Sequence, residues 1–370
     1  LALLPPGDSA IRARLEGFLA QEAFSSVPDR ERRAMIGRAV AMARRVRDPM
    51  ALAGVLTSHS WIVAGPESVS ERLAVADELV AVGREAGLPY AECDGQQWRM
   101  LALIELGEVE AVDAALAAAH AAVRTTRSRW TVGFLDTVRA LLAGRFADAE
   151  AAVARGREAA RETTAPQALA ESAFVRLLSC VRIVQGRLTE YESPRDTMAQ
   201  GITNLPPTFF VVRSHAARER HDRDGAREAF EGALSKGLLE EPRGPTWLIS
   251  LTWAADICAW LEDGPRALLL LDLLAPFSGA MTWQYGAVGR VVGLLERTLG
   301  RADEAERLLR AAVALCERMD ARAFLAMARY DLGELLVPAA EGRRLLNQAR
   351  TSADQLGMPA LASRAPAAHT

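Results

Sequence analysis

Residues 129–161 read RWTVGFLDTVRALLAGRFADAEAAVARGREAAR, and this stretch decides the fold. Its apolar positions recur at intervals of three or four: Trp130, Phe134, Val138 and Leu141 in the first half, and Phe146, Ala149, Val153 and Gly156 in the second. Each half therefore predicts an α-helix with one apolar face. Gly144 stands between them and suits the left-handed residue that ends a helix. The stretch predicts a helical hairpin whose second helix, with small residues at Ala149 and Gly156, packs closely on the first.

The same pattern recurs along the chain. The predicted turns fall at Gly107, Gly144, Gly186, near His221 where the glycine is replaced, near Gly264, and at Gly300. Successive turns are 37, 42, 35, 43 and 36 residues apart. Tetratricopeptide repeats take about 34 residues and HEAT-like units about 40 to 47. We therefore predict an all-α fold, a right-handed tetratricopeptide-like α-solenoid of about eight or nine helix hairpins.

The remaining segments agree with one repeat domain over residues 1–370. Residues 1–28 are expected to form a linker and a capping helix, and residues 358–370 a frayed end. Pro194 is expected to break the return helix of its unit. The segment APFSGAMTWQYGAVG, residues 275–289, predicts an irregular connection with Trp283 and Tyr285 either exposed or folded inward. The pattern shows no strand with period-two alternation.

Composition excludes several classes of protein. The chain has 370 residues, a net charge of −3 and a single lysine, Lys236, with no one-sided basic patch. We therefore expect no direct contact with nucleic acid and no binding to anionic membranes. The four cysteines are far apart and predict buried free thiols in a reducing cytoplasm. No signal peptide or apolar run of about 20 residues is present. The start at Leu1 suggests a piece of a longer protein.

Catalytic chemistry has no predicted location. The sequence contains no P-loop, zinc-protease, nucleophile-elbow or dinucleotide motif, and no aspartate-rich cluster. The five histidines show no mutual spacing of four residues, so each is expected to be a packed or surface residue. No catalytic, cofactor-binding or metal-binding residue is predicted, and the chain is predicted not to be an enzyme.

Polar residues at inward positions of the first helix of each pair predict a binding groove on the concave face. The predicted groove residues are His59, Gln97, Arg176, His215, Thr252, Trp253, Asp256 and Arg290, and Asp94 shares their pattern. A pocket lined by Trp253, Asp256 and Arg290 would suit a small molecule with apolar and charged parts. An extended peptide or helix could use the same groove. The alternative is ordinary solvation of an open concave face.

Several stretches resemble one family. LALLPPGDSAIRARLEGFLA, WRMLALIELGEVEAVDAAL, RALLAGRFADAEA and RADEAERLLRAAVALCERMDARAFLAMARYDLGELL are similar to the helical-repeat region of large actinobacterial ATP-dependent regulators of the LuxR type, the MalT-like proteins. In that family an ATPase module of the signal-transduction type precedes the repeats, and a DNA-binding helix-turn-helix often follows them. Neither module is present in these 370 residues, so ATP hydrolysis and DNA binding are not carried over.

Two functions follow as hypotheses. The resemblance implies a sensor and scaffold domain of a transcriptional regulator, which binds a small-molecule inducer or a partner protein in its groove and controls the ATPase upstream. The residues alone are also compatible with a free-standing tetratricopeptide-like adaptor for protein–protein interaction. No cofactor is predicted for either.

Overall fold

The computed structural model describes residues 4, 6–23, 26–162, 167–191 and 205–364. Its secondary structure is helical almost throughout, which confirms the all-α prediction. The helices of the first half are α1 Ala10–Glu22, α2 Asp29–Val46, α3 Pro49–Ile62, α4 Val69–Glu85, α5 Pro89–Leu106, α6 Val109–Ala121, α7 Thr126–Leu142 and α8 Phe146–Arg161. Those of the second half are α9 Gln167–Gln185, α10 Pro207–Glu219, α11 Arg223–Ser235, α12 Trp247–Leu261, α13 Gly264–Leu274, α14 Val288–Thr298, α15 Ala302–Arg318, α16 Arg322–Leu336, α17 Ala340–Leu356 and α18 Pro359–Arg364.

Five of the six predicted hairpin turns lie at the predicted residue, and the sixth lies two residues away from it. The left-handed residues are Gly107, Gly144, Gly186, His221 and Gly300, with φ between 59° and 79°. At the remaining turn the left-handed residue is Glu262, with φ 58°, and Gly264 is already the first residue of α13. The cause is local, since the Asp263 side chain accepts a hydrogen bond from Arg266 N and Pro265 follows Gly264. Asp263 thus caps α13 and moves the turn two residues upstream.

Two segments outside the main helices can be set against their predictions. Met281–Thr282 and Gly286–Ala287 form an antiparallel pair of two-residue strands within the connection that was predicted to be irregular, and they are too short to show a period-two alternation. The expectation of a frayed end from residue 358 is wrong for residues 358–364, because Pro359–Arg364 is helical and Met358 and Leu361 are buried. Pro194 and residues 365–370 lie outside the described residues.

The chain divides into two compact units. The first comprises residues 1–135, 155–165 and 242–247, and the second residues 136–154, 166–241 and 248–370. Within the first unit, α1 packs on α2 and α3, and α4 packs on α5. Within the second, neighbouring helices pair as α10 with α11, α14 with α15, and α16 with α17. The prediction of one domain over residues 1–370 stays a prediction.

In the second unit, two helices that come first in their hairpins, α12 and α14, lie in the interior. Every residue of α14 from Val288 to Glu296 is buried, and so is α12 along almost its whole length. A helix that is buried all round must hold any polar side chain in a partnered environment, because desolvation of an unpaired polar group costs free energy. The polar residues of α12 and α14 are therefore the candidates for a functional site.

Candidate functional site

The centre of the candidate site is Asp256 on α12. Asp256 lies one turn after Trp253, so the carboxylate and the indole share one face of the helix. Trp253 is fully buried and Asp256 is 2 % exposed. Two further helices and a hairpin meet this face, and each supplies a polar side chain to the carboxylate.

Asp256 accepts two hydrogen bonds and forms one further ion pair. Tyr285 donates its hydroxyl to Oδ2 at 2.5 Å, and Arg218 on α10 places Nη1 3.1 Å from the same oxygen. Arg290 on α14 donates Nη2 to Oδ1 at 3.4 Å. Both carboxylate oxygens are therefore engaged, as a buried charge requires.

Arg290 joins Asp256 to a second carboxylate. Its Nε donates to Asp331 Oδ2 on α16 at 2.6 Å, and its guanidinium carbon lies 5.9 Å from the Tyr285 ring centroid. The side chains of Arg290 and Asp331 are 5 % and 6 % exposed. The cluster therefore contains two arginines, Arg218 and Arg290, and two aspartates, Asp256 and Asp331. Their four charges sum to zero.

The pKa values follow from this arrangement. Burial alone would raise the pKa of Asp256, but Arg218 and Arg290 outweigh it and hold that pKa well below its usual range. Burial would lower the pKa of Arg290, yet Asp331 and Asp256 raise it. Burial, and then the charge of Asp256, raises the pKa of Tyr285, so the phenol stays protonated and donates. The groups are held in fixed charge states.

His215 on α10 completes the cluster as a neutral group. Its Nε2 lies 3.1 Å from the Trp253 carbonyl oxygen, and its ring centroid lies 6.0 Å from that of Tyr285. Burial lowers the pKa of His215 to about 4; Arg218 adds to this and Asp256 opposes it. At neutral pH the imidazole is uncharged and donates Nε2–H to the carbonyl.

A short β-hairpin contacts this cluster through Tyr285. We call residues 281–287 the hairpin and Trp283, Gln284 and Tyr285 its tip. Trp283, Gln284 and Tyr285 are at most 4 % exposed, so the tip folds inward, one of the two positions that the sequence allows. Thr282 fixes the turn, because its Oγ1 donates to Gly286 O and accepts from Tyr285 N, both at 3.0 Å.

The predicted groove residues separate into three groups. His215, Trp253, Asp256 and Arg290 meet in one cluster, and Thr252 lies beside them but donates to Ile249 O within its own helix. Arg176 on α9 lies at the other side of the hairpin tip, with its guanidinium carbon 5.9 Å from the Trp283 ring centroid. His59 and Gln97 belong to the first unit. His59 Nε2 is 3.7 Å from Glu71 Oε1, burial lowers the pKa of His59, and Gln97 is buried on α5.

The sequence prediction missed Arg218, Asp331 and Gln284. Arg218 carries a usable signal, because it stands three residues after His215 and so on the same helical face. Asp331 is one of two acidic residues on α16, with Glu334, and its spacing alone does not distinguish it as a site residue. Gln284 gives none, since its burial depends on the path of the hairpin.

Comparison with known proteins adds no family. None of the protein-family models matches the sequence, and no curated protein matches it. In the described part of the chain, no three histidine, cysteine or acidic side chains are arranged to hold a metal ion. No helix among the described residues has the length and apolar character needed to span a membrane. The site itself is therefore the basis for a functional proposal.

We predict that His215 makes stability depend on pH. Because the folded-state pKa is about 4 and the unfolded value is about 6.5, the unfolded chain binds the proton first as the pH falls. The contribution is complete above about pH 6.5 and is lost progressively down to about pH 4, at an order of magnitude of 2–3 kcal/mol. Urea unfolding at pH 7 and pH 4.5 measures it. His215→Gln should lose this component, and the same pH dependence in both chains would contradict the prediction.

Proposed function

We propose that this chain is the sensor and scaffold region of a regulatory protein and binds a small-molecule inducer or a partner protein at the inner faces of its repeats. The proposed architecture is the right-handed tetratricopeptide-like solenoid of about eight or nine hairpins. By the resemblance to LuxR-type, MalT-like regulators, an ATPase module upstream and transcriptional regulation in the cytoplasm belong to the same proposal.

The observation that carries the proposal is the ionic cluster of the buried Asp256, Arg290 and Asp331 with the partly buried Arg218. A buried ion pair contributes little net stability compared with apolar packing of the same volume. A repeat array that only had to stack its helices would have no use for four charged groups at inner positions. Charged groups in an interior instead favour recognition of one polar ligand over others.

The hairpin supports ligand binding rather than simple stacking. Its tip supplies Tyr285 to the cluster from a segment that belongs to no helix, and this segment separates α13 from α14. A ligand that engages Asp256 or Arg290 competes with Tyr285 for the same atoms. Binding therefore moves the hairpin, and a change of conformation is what a sensor must pass on.

The test is a ligand search on the purified chain. Native mass spectrometry detects a co-purifying small molecule, and a thermal-shift screen of cell-extract fractions detects ligands by mass action. We expect at least one fraction to raise the melting temperature of the wild type. Arg290→Lys keeps the charge but loses the planar fork that joins two aspartates, so it should reduce that shift by at least about half.

Arg297→Lys is the matched control, since Arg297 is exposed on the same helix, α14. It should leave the shift unchanged. Equal shifts in the wild type and Arg290→Lys would place the ligand elsewhere and contradict the proposed site.

One surface favours the adaptor as a second candidate. Helix α1 turns its small residues Ala13, Gly17 and Ala20 toward its neighbours and exposes large apolar side chains on the opposite face. These side chains are Ile11 (60 % exposed), Leu15 (43 %), Phe18 (55 %) and Leu19 (47 %). Their spacing of four, three and one fits a partner helix. Retention of a protein by the immobilised chain that Phe18→Ser abolishes, with no small-molecule shift, would favour the adaptor.

A further inference from the structure

The side chain of Arg176 on α9 is partly buried, with its Nε fully enclosed. No carboxylate in the described part of the chain reaches it, and its Nε is buried with no hydrogen-bond partner. Burial lowers the pKa of Arg176 to about 10, and among the described groups only Cys180 acts against this. Even at that value the guanidinium is charged at neutral pH. A charge that is partly removed from water and has no carboxylate beside it among the described residues costs free energy, which an anionic ligand would offset.

The side chain of Gln284 is the second unpartnered group. It is fully buried, and neither Nε2 nor Oε1 has a hydrogen-bond partner among the described residues. Cys180, one helical turn after Arg176, donates its thiol to the Gln284 carbonyl oxygen, so Gln284 lies beside the same turn of α9. Trp283, the residue before Gln284, faces Arg176 at 5.9 Å. Arg176 and Gln284 therefore belong to one place at the tip of the hairpin.

Two more donors surround the tip. Trp253 Nε1 and Arg290 Nη1 are buried and have no hydrogen-bond partner in the part of the chain that the structure describes. Both residues lie against the Tyr285 ring, whose centroid is 6.3 Å from that of Trp253 and 5.9 Å from the Arg290 guanidinium carbon. Most of these unpartnered groups are N–H donors. Since buried polar groups in proteins are nearly always hydrogen-bonded, a group of donors marks a place built for an acceptor.

The charge balance defines the acceptor. Arg218 and Arg290 are neutralised by Asp256 and Asp331, so Arg176 supplies the one unbalanced positive charge near the tip among the described residues. One cation suits a singly charged anion. A planar guanidinium pairs best with a carboxylate through two parallel hydrogen bonds. A phosphate dianion would call for several cations or a series of backbone N–H groups.

We propose that Arg176, Gln284 and Trp283 form a binding subsite for a small organic monocarboxylate with a flat apolar part. Arg176 holds the carboxylate, Gln284 donates Nε2–H to it, and the Trp283 ring packs on the apolar part. The inference rests on the proposed function, because Arg176 belongs to the predicted groove, and it names the chemical class of the ligand.

The test compares carboxylates with their neutral amides. The wild-type chain, purified in buffers without carboxylates, is titrated with benzoate, phenylacetate and indole-3-acetate and with the matching amides, by thermal shift and calorimetry. At least one acid should bind saturably while its amide does not. Arg176→Met should weaken that binding at least about tenfold. Without ligand, Arg176→Met should melt at or above the wild-type temperature, because it removes a partly buried charge that has no carboxylate beside it among the described residues.

Arg213→Met is the control, since Arg213 is exposed in the second unit, on α10, and should change neither property. Equal binding by Arg176→Met, equal binding of acid and amide, tighter binding of inorganic phosphate, or no binding of any acid would each overturn the subsite. So would a ligand-free Arg176→Met chain that melts clearly below the wild type. The extract screen tests the proposed function independently: a fraction whose effect needs Arg290 but not Arg176 supports that function while the subsite fails.

Discussion

Asp256→Ala is expected to lower the free energy of unfolding by about 3–5 kcal/mol, the range found when one partner of a buried ion pair is removed. The substitution leaves the buried Arg290 and the partly buried Arg218 with one acceptor fewer, and it removes the partner of the Tyr285 hydroxyl. The lost Coulomb attraction of the Asp256 carboxylate accounts for a small part of this decrease in the free energy of unfolding. The larger part is the desolvation of donors that no longer have an acceptor.

Urea unfolding of the wild type and of Asp256→Ala measures the loss. Asp272→Ala is the control, because Asp272 is exposed on α13 and should change the free energy of unfolding by less than about 0.5 kcal/mol. The double variant Asp256→Ala with Arg218→Met should cost less than the sum of the two single variants, since it removes an unpaired cation. A loss for Asp256→Ala no larger than that of Asp272→Ala would show that the cluster is not desolvated.

Gly286→Ala is the second substitution with a large expected effect, about 2–4 kcal/mol of destabilisation from strain and overpacking together. Gly286 begins the second strand of the hairpin with φ 78°, and an added Cβ would lie 2.6 Å from Phe324 Cγ. Phe324 is 1 % exposed on α16 and cannot move without disturbing the core. The alanine therefore drives the hairpin away from α16.

Gly300→Ala separates the two causes. Gly300 has almost the same dihedral, φ 76°, but an added Cβ there would meet nothing within 4 Å. It should show only the cost of a left-handed alanine, about 1 kcal/mol. Thermal and urea unfolding of both variants give the difference, which is the steric part. In a Phe324→Leu background the cost of Gly286→Ala should shrink, and equal costs at Gly286 and Gly300 would exclude the clash.

The sequence predicts most of the helical architecture, because the signals are local. A glycine after an apolar stripe ends a helix whatever surrounds it, as at Gly107, Gly144 and Gly300. At His221, where the turn has no glycine, the spacing of the apolar positions on either side is enough to predict the turn. The displaced turn at Glu262 was open to prediction as well, since Asp263 followed by Gly264 and Pro265 is a capping sequence.

The site is predictable only in part. Thr252, Trp253 and Asp256 share a helix, so their spacing places them on related faces. Which residues pair with the Asp256 carboxylate depends on the packing of segments that are distant in sequence. Arg218 lies 38 residues before Asp256 and Tyr285 lies 29 residues after it. The inward path of the hairpin tip follows from the fit of Gly286 against Phe324, a contact between residues far apart in sequence that periodicity cannot reveal.

Each of the four buried cysteine thiols can report local opening of the chain through its rate of alkylation. Burial raises the pKa of Cys93, Cys258 and Cys316 to about 12, and it raises the pKa of Cys180 further still. A thiol that is both inaccessible and protonated reacts with an alkylating reagent only while its own helix is open. The four residues stand on α5, α9, α12 and α15. The alkylation rate at each cysteine thus reports how often that stretch of the chain opens, without any introduced probe.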